Sequence, residues 1–409
     1  MKSRLQRIIF LSIFFILTFA LIVVAQVWEI YKLDENVFVT YSDVETINKD
    51  KTFGSFVTAN INDKVALVGN EKLTISKLIF KLFGFIPIRE LSVEVSDGKS
   101  LYLGGTPVGF AIDIDGLLIM GSTTVETENG NVDILSEANL KVGDIITEID
   151  GKKVCTLEDV SKIIENKNYN GEELKISAIR KSEKFSTTLK PAKDITSGKY
   201  KLGLWVKNDA SGVGTLSYVD EETNKFGALG HPITDFDTGT VVPAKSGKVY
   251  QCSVVGLTKG EKGVPGEMKG VFMQGKNAKG VVEKNTNCGI FGEITDKKNL
   301  IDPNKRANIG GRLSVKPGKA VIVSSISGVL QNYDIEIIKA NYQPKSSDKS
   351  FVFRVTDEKL LELTGGIIQG MSGSPIMQNG KVIGAVTHVF VSDPTKGYGI
   401  YIDWMLEKN

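Results

Sequence analysis

The sequence predicts a mainly β protein that is preceded by one membrane-spanning helix. Glycine is abundant, with 42 residues against 11 prolines in a chain of 409, and this favours turn-rich β structure over a helical bundle. From Leu202 almost to the C-terminus, short alternating stretches are separated by glycine-containing turns, which is typical of a β-barrel or sandwich. Near the N-terminus, an apolar run from Ile8 to Ala25 carries no charge. The length suggests roughly two or three domains.

The composition excludes several classes of function. Lys and Arg number 50 against 48 Asp and Glu, and no cluster of them is suited to nucleic-acid phosphates, so we expect no nucleic-acid partner. Cys155, Cys252 and Cys288 are too scattered for a disulfide framework or a zinc site, although one Cys252–Cys288 bridge is permitted. The two histidines, His231 and His388, form no His-Glu-x-x-His motif. We therefore expect neither a metal nor a cofactor.

The N-terminal run has the length and the flanks of a membrane segment. At about 1.5 Å per residue it reaches about 27 Å, close to a hydrocarbon thickness of roughly 30 Å. Lys2, Arg4 and Arg7 precede it, so we expect the rest of the chain outside the cytoplasm. Two interpretations stay open: a retained signal anchor, which the length favours, and a signal peptide cleaved after Ala25. We assign residues 1–28 to this segment.

Residues 29–98 are interpreted as a polar stalk and a segment that precedes the next domain. The spacing of apolar residues predicts an amphipathic helix from Leu73 to Phe83, which is expected to pack in a core and, less favourably, to lie on a membrane. Gly84 and Pro87 end this predicted helix. The residues from Leu91 to Val95 alternate strictly, as in a strand.

Residues 99–191 are predicted to form one small β-rich module. A short helix is expected to end before a Gly143-Asp144 turn, and a strand then runs to a tight Asp150-Gly151 turn. Thr156 begins a second helix with a capping box that Asp159 completes. A closing hairpin follows over residues 174–189.

The stretch from Ala138 to Gly151 resembles a PDZ domain. The resemblance implies a loop that binds a peptide carboxylate, beside a strand edge that accepts a segment of a substrate or of the chain itself. The alternative is a PDZ-shaped module that only packs against its neighbour. The residues that would form the loop are Gly109, Phe110, Ala111 and Ile112.

The hexapeptide from Gly370 to Pro375, Gly-Met-Ser-Gly-Ser-Pro, has the pattern of a serine nucleophile. A nucleophilic serine needs a turn of small residues so that its hydroxyl projects freely and backbone N–H groups face the developing oxyanion. Ser372 is the predicted nucleophile, and the N–H groups of Gly370 and Ser372 are the predicted oxyanion hole. Residues 376–387 read as a hairpin, which walls the specificity pocket in chymotrypsin-like proteases.

A serine nucleophile also needs a base and an acid that orients it. His231 stands in a bend of small residues upstream of Ser372, which is the chymotrypsin-like order and makes it the predicted base. His388 is expected to shape substrate binding or to pack. Spacing alone does not choose the acid: Asp357 lies between the two, whereas Asp235 and Asp237 follow His231 closely and are expected to shape its turn.

Several stretches together resemble the stage IV sporulation protein B peptidase family of spore-forming bacteria. They include Phe83–Pro87, the PDZ segment, Gly203–Val206, Gly212–Leu216, Phe226–His231 and Thr364–Pro375. The resemblance implies a chymotrypsin-like double β-barrel serine peptidase domain over residues 192–409, with the triad His231, Asp357 and Ser372. It also implies a substrate pocket at Gly366, Thr387 and His388, where the absence of charge favours apolar or small residues.

The family role would make the protein a signalling endopeptidase that is membrane-anchored or secreted into the space between the two membranes of the forespore. There it would cleave a membrane-bound regulator of an intramembrane protease and so trigger a late sigma factor during sporulation. Two alternatives stay open. One is a non-catalytic PDZ adaptor or scaffold, and the other is a periplasmic quality-control serine protease, in which the PDZ domain usually follows the protease domain.

Overall fold

The N-terminal apolar run folds as one long helix. The computed structural model describes residues 2–31, 33, 38–40, 44, 47–48, 55–68, 71–96, 99–165, 169–275, 277–341, 343 and 345–409. Helix α1 covers Lys2–Tyr31, and its segment Ile9–Tyr31, with a mean hydropathy of 2.6, is long and apolar enough to cross a membrane. This finding fits both a membrane anchor and a signal sequence.

A four-stranded sheet follows the helix where the sequence predicts a stalk. Its strands are β1 (Phe38–Thr40), β2 (Val57–Val68), β3 (Glu71–Leu82) and β4 (Ile86–Ser96), in the order β1-β4-β3-β2. The predicted helix from Leu73 to Phe83 is therefore wrong. Leu78 and Phe80 are buried on one face of β3, so the apolar pattern here has the period of a strand.

Helix α1 and this sheet form one packed unit. Ile30 and Leu33 are buried in the core of the sheet. The guanidinium of Arg89 on β4 donates to the carbonyls of both residues, at 2.7 Å each. The Tyr31 hydroxyl donates to the carbonyl of Ile88 at 2.8 Å. The end of the helix is thus fixed to the sheet by apolar packing and by hydrogen bonds.

The PDZ module has the predicted turns and helix caps. Thr156 and Asp159 make both bonds of a capping box at the start of the second helix, and Asp150 and Gly151 have positive φ in the tight turn. The elements are β7 (Val125–Thr127), β8 (Gly130–Val132), α2 (Ile134–Glu137), β9 (Ile145–Ile149), β10 (Lys152–Lys153), α3 (Leu157–Ile164), β11 (Leu174–Arg180) and β12 (Glu183–Leu189). A short pair, β13 (Ala192–Lys193) and β14 (Tyr200–Lys201), leads out of it.

The first of two six-stranded barrels is closed by the pairing of β6 (Pro107–Ser122) with β15 (Leu204–Asp220). Its other strands, in order from β6 to β15, are β17 (Ala244–Gln251), β20 (Gly280–Thr286), β21 (Gly289–Ile294) and β16 (Lys225–Ala228). Strands β5 (Ser100–Leu103) and β22 (Arg306–Asn308) extend its sheet, and β18 (Ser253–Thr258) pairs with β19 (Glu267–Val271). All three cysteines are buried and free.

The second barrel completes the predicted double-barrel fold. Its strands, in closed order, are β23 (Gly318–Ser324), β24 (Gln331–Ala340), β25 (Phe351–Val355), β28 (Lys396–Tyr401), β27 (Lys381–Val389) and β26 (Pro375–Gln378). Helix α4 (Glu358–Thr364) follows β25, and α5 (Ile402–Leu406) follows β28. The described part of the chain is therefore mainly β, with an apolar N-terminal helix, a PDZ module and two barrels.

The predicted peptide-binding loop at Gly109, Phe110, Ala111 and Ile112 is wrong. These residues lie inside β6, which pairs with β15 on one side and with β17 on the other, so neither edge is open to a peptide. Phe110 and Ile112 are buried in the core of the first barrel. The same strand continues to Leu117 and Leu118, which pair with β9 of the PDZ module. One strand thus serves both units, which is why its sequence fits either.

The chain fills a strand edge of its own PDZ module. The segment Leu204–Lys207 at the start of β15 pairs antiparallel with residues 118–122 at the end of β6. Leu204 and Val206 pack against the PDZ core, whereas Trp205 between them is exposed. This arrangement is β-augmentation within one chain. Of the two ligands expected from the sequence, a substrate segment and a segment of the chain itself, the strand edge holds the second.

We predict that Gly109→Val destabilises the first barrel rather than a peptide site. A Cβ at Gly109 would lie 2.2 Å from the ring of Phe272, so the ring must move, at a cost of about 1–3 kcal/mol by overpacking. Thermal unfolding measures this loss. Gly256→Val is the matched control, because a Cβ at Gly256 meets nothing within 4 Å. Equal melting temperatures for the two variants would contradict the prediction.

Candidate active site

The loop that carries Ser372 connects α4 to β26 and is shaped by glycines. Gly370 and Gly373 have φ of 98° and 97°, a left-handed conformation that favours glycine. A Cβ at Gly373 would also lie 2.0 Å from the carbonyl oxygen of Thr215. Ser372 between them is half-buried. The small residues of the predicted motif are therefore required both for the turn and for its contact with β15.

His231 lies in a strained turn at the end of β16. Leu229 and Gly230 both have positive φ, 67° and 71°, and Leu229 is almost fully buried. A bulky residue with this φ is an outlier that the surrounding structure must hold in place. The Gly230 N–H donates to the carbonyl of Ala228 at 2.8 Å, which tightens the turn. The strain directly precedes the predicted base.

Thr215 on β15 holds both turns. Its N–H donates to the Ser372 carbonyl at 2.9 Å, and its carbonyl accepts the N–H of Leu229 at 3.2 Å. Its hydroxyl donates to the Gly370 carbonyl at 2.7 Å. Thr215 itself is 2% exposed. One buried residue of the first barrel therefore fixes the histidine turn and the serine loop relative to each other.

A cavity of about 550 Å³ brings the predicted residues together between the barrels. His231, Ser372, Thr387 and His388 line it. Among the residues that the structure describes, no Asp, Glu, Lys or Arg lines it, and the remaining lining includes Val213, Ile233, Phe236, Pro265, Ile367, Ile368, Val389 and Val391. The cavity is thus suited to an apolar or small side chain, in line with the expectation from the sequence.

The imidazole of His231 is set up to accept a proton. Its Nδ1 lies 2.9 Å from the carbonyl of Pro232, and because a carbonyl only accepts, Nδ1 carries the hydrogen and Nε2 has the free lone pair. Burial lowers the pKa of His231, while the Pro232 carbonyl and the Asp348 carboxylate act in the opposite direction. The ring is therefore neutral near pH 7. This is the protonation state that a general base needs.

The hydroxyl of Ser372 donates to the carbonyl of Thr387 at 2.6 Å, on the strand that walls the cavity. In this state the hydroxyl is held by the wall, and it has to turn to reach a base. Thr387 is held in turn, since its own hydroxyl donates to the carbonyls of Asp348 and Tyr398 at 2.6 and 3.1 Å.

The predicted oxyanion hole has its N–H groups available. Within the described ranges, no hydrogen bond engages the N–H of Gly370 or of Ser372. The neighbouring N–H groups are committed: Met371 donates to Ile368 at 3.1 Å, and Gly373 donates to Val386 at 2.7 Å. Alternate N–H groups of the loop are thus left for an oxyanion, which is the pattern that the prediction requires.

Asp357 does not orient His231 in this structure, so this prediction is wrong. It is the N-cap of α4, where its two carboxylate oxygens accept the N–H groups of Leu360 at 2.9 Å and Asp334 at 3.3 Å. It does not line the cavity. An aspartate that begins a helix gains stability by this bonding, independent of any triad. The short interval between Asp357 and Ser372 is filled by that helix and by the serine loop.

The carboxylate closest to the histidines belongs to Asp348. It lies 3.7 Å from Nε2 of His388, and the ring of His388 lies 5.2 Å from the ring of His231, measured between centroids. Burial and the proximity of His231 lower the pKa of His388, and Asp348 opposes this. The Nδ1 of His388 is buried and has no partner in the described part of the chain. The predicted wall histidine is thus an electrostatic neighbour of the predicted base.

Gly366 is also misassigned, because it does not line the cavity. It has φ of 135°, and a Cβ there would lie 2.1 Å from the carbonyl of Pro394. Ile367 and Ile368, which follow it, take its place in the wall. Asp235 has the predicted structural role: it accepts the N–H of Thr238 at 3.0 Å and forms an ion pair with Lys207 at 2.8 Å.

Sequence reasoning missed three groups at this site. Thr215 lies in the stretch Gly212–Leu216, which the family resemblance contained, but a buried threonine in a strand carries no chemical signal of its own. The Pro232 carbonyl is a backbone atom and is invisible in a sequence. Asp348 lies in an irregular loop, where spacing gives no orientation.

We predict that Thr215→Val lowers turnover about 10–100-fold, because the Gly370 carbonyl loses its donor and the serine loop shifts. The variant keeps the side-chain shape and should lose about 1 kcal/mol of stability, since the half-buried Gly370 carbonyl loses its donor. Steady-state peptide cleavage and chemical unfolding measure the two effects. Ser217→Ala is the control, because its hydroxyl is buried on the same strand without a partner in the described residues. Full turnover of Thr215→Val would refute the role of Thr215.

We predict that peptide cleavage persists to a lower pH than an ordinary histidine allows, and is lost as His231 becomes protonated. The lowered pKa of His231 has this sign, because the neutral ring is the active form. Asp348→Asn removes a charge that raises this pKa, so the acid limb should move to lower pH, by less than about one unit. Asp357→Asn should leave the limb in place. A profile of kcat/KM against pH that shifts for Asp357→Asn instead would restore Asp357 as the orienting acid.

Parts of the chain are similar to several solved structures. The chain is 23% identical to the PDZ domain of an SdrC-like protein from Listeria monocytogenes, over 22% of this chain and 87% of that one, with a TM-score of 0.18. It is 14% identical to the inactive form of Rv3671c protease, over 48% of this chain and 81% of that one, with a TM-score of 0.27. For the active form, from M. tuberculosis, identity is 13%, over 48% and 72%, with a TM-score of 0.27. No curated protein matches.

Two families match the chain itself. The PDZ domain family matches residues 131–190. The SpoIVB peptidase S55 family matches residues 198–406, which is half of the chain and covers both His231 and Ser372. The protein therefore belongs to the SpoIVB peptidase S55 family, and it is a serine peptidase that carries a PDZ domain.

Proposed function

We propose that the protein is a membrane-anchored signalling endopeptidase, with Ser372 as the nucleophile and His231 as the general base. The observation that carries this proposal is the shared cavity, which is lined both by Ser372 on its glycine loop and by His231, whose Nε2 lone pair is available because Nδ1 bonds to the Pro232 carbonyl. Burial, tautomer and loop geometry each favour acyl transfer to serine.

The reaction follows from these positions. The Ser372 hydroxyl leaves the Thr387 carbonyl, passes its proton to Nε2 of His231, and attacks the scissile carbonyl. The N–H groups of Gly370 and Ser372 then stabilise the oxyanion. The imidazolium that forms keeps its Nδ1–H bond to the Pro232 carbonyl and is favoured by the negative charge of Asp348. The proton returns to the leaving amine, and water repeats the sequence on the acyl-enzyme.

The proposed substrate is a membrane-associated regulator of an intramembrane protease, cleaved outside the cytoplasm to trigger late sigma-factor activation during sporulation. The family supports this role, because it is named after a sporulation peptidase. The packing of α1 on the sheet supports it physically, because a retained helix would keep the cavity close to membrane-bound substrates. The space between the forespore membranes is the location that fits both points. The uncharged cavity favours an apolar or small residue at the cleaved position.

We propose that the first ligand of the PDZ module is a segment of this chain. Its strand edge at residues 118–122 already holds Leu204–Lys207, so a substrate segment would have to displace it or bind elsewhere on the module. Such occupancy favours a module that responds to a partner over one that is constantly loaded with substrate.

We predict that a fluorophosphonate probe labels the purified full chain at Ser372. Ser372→Ala should abolish labelling and reduce peptide turnover about 10⁴–10⁶-fold, with unchanged circular dichroism. Ser374→Ala is the matched control, because this neighbouring serine is fully buried and has no place in the proposed chemistry. A folded Ser372→Ala that still cleaves peptides would overturn the proposal and favour the non-catalytic alternative.

A further inference from the structure

We propose that the turn between β3 and β4 inserts into the outer leaflet of the membrane beside α1. The inference rests on the proposed membrane anchoring and adds a second contact with the bilayer. The turn and its flanks read Leu-Phe-Gly-Phe-Ile-Pro-Ile over residues 82–88, a run without any charge. Its occupant would be the acyl chains of the lipids.

The turn exposes more apolar surface than a water-soluble hairpin needs. Phe85 is 72% exposed, and Phe83 and Ile86 are 44% and 43% exposed. Hairpin turns in water usually carry polar residues, and an exposed cluster of large apolar side chains marks a contact with another apolar surface. Phe83 and Gly84 both have positive φ, so the backbone is bent sharply enough to place these side chains at the end of the hairpin.

The turn lies against the membrane helix at a definite depth. The ring of Phe83 is 6.5 Å from the ring of Phe19 on α1, and Phe56 contacts both, at 5.8 and 5.1 Å between centroids. Polar groups return after Ala25, at Gln26 and Glu29, so we take Ala25 as the end of the hydrocarbon-embedded part of α1. Phe19 lies six residues before Ala25, which places it about 9 Å along the helix from that end. One leaflet of hydrocarbon is about 15 Å thick. A retained α1 therefore places the turn within the outer leaflet.

The polar groups near the turn fit this depth. The hairpin pairs Leu82 with Ile86, and the N–H groups of Phe83 and Phe85 donate to the carbonyls of Phe56 and Leu82 at 2.7 and 3.3 Å, so these two donors at the tip have partners within the protein. Charge returns only at Lys81 and Arg89, one on each side of the run. Both are basic, as expected for residues at the level of anionic lipid headgroups.

Insertion would hold the whole protein at a fixed orientation. A single helix leaves the attached domain free to rotate about the membrane normal and to tilt. A second apolar contact removes much of that freedom. The turn is part of the sheet, and the Arg89 bonds to Ile30 and Leu33 fix the sheet to the end of α1.

The test uses the full chain reconstituted in vesicles of phosphatidylcholine and phosphatidylglycerol. Phe85→Cys is labelled with an environment-sensitive nitrobenzoxadiazole, which is selective because all three native cysteines are buried. Val329→Cys is the matched control, since Val329 is 69% exposed on the second barrel. Lipids that carry a nitroxide on the acyl chain should quench most of the emission from position 85 and leave position 329 unaffected.

The outcomes separate the two proposals. If the chain floats with the vesicles but position 85 is quenched no more than position 329, insertion is refuted and the anchor stands. If the chain does not float, both are refuted. Fluorophosphonate labelling of Ser372 in the same sample reports on the peptidase independently of either result.

A measurement without a label guards against effects of the dye. In the unmodified chain, the amides of residues 83–86 and of Ile88 should exchange hydrogen more slowly in vesicles than in detergent-free buffer lacking lipid. The turn at Lys181 and Ser182, between β11 and β12, is the internal reference and should not change. Phe85→Asp should abolish the protection, because a carboxylate is costly in hydrocarbon. Equal exchange with and without lipid would refute insertion.

Discussion

The three hydrogen bonds of Thr215 are the constraint on which the site depends. The two candidate catalytic groups lie on different barrels, so noncovalent contacts have to set their relative position. Thr215 bonds to the serine loop through its N–H and its hydroxyl, and to the histidine turn through its carbonyl. The turn is strained at Leu229, and the loop requires Gly373 to approach the Thr215 carbonyl. Two costly backbone conformations are thus stabilised at one point.

Strand β15, which contains Thr215, also reaches the PDZ module. Its first residues, Leu204–Lys207, fill the edge of that module, and Lys207 forms an ion pair with Asp235 in the loop after His231. The same loop contacts the module a second time, since the Thr240 hydroxyl donates to the Gly143 carbonyl at 3.1 Å. Displacement of Leu204–Lys207 would therefore act on a strand that holds both candidate catalytic turns. The physical route from the module to the site is short and continuous.

Features that depend on residues close together in sequence could be predicted, whereas features that depend on distant partners could not. Local patterns gave correct results: the glycine loop at Ser372, the capping box at Thr156 and the final hairpin depend on neighbours in sequence. Errors arose where partners lie far apart. Gly109–Ile112 fits a PDZ loop and a barrel strand equally well, and only the pairing with β15 and β17 decides. Leu73–Phe83 fits two periodicities, and Asp357 satisfied an order along the chain that says nothing about direction in space.

Nδ1 of His231 bonds to the Pro232 carbonyl, whereas a triad would offer it a carboxylate, and this difference has an electrostatic consequence. A carbonyl fixes the tautomer as well as a carboxylate does, but it offers only a dipole to the imidazolium that forms during the reaction. Asp348 can add to this stabilisation through its charge, and His388 is a neighbour of both that carboxylate and the base. A neutral His388 leaves the field of Asp348 intact, whereas a protonated one would oppose the positive charge on His231. Burial lowers the pKa of both histidines, so it favours the neutral form of each, which is the combination that the proposed reaction needs before proton transfer.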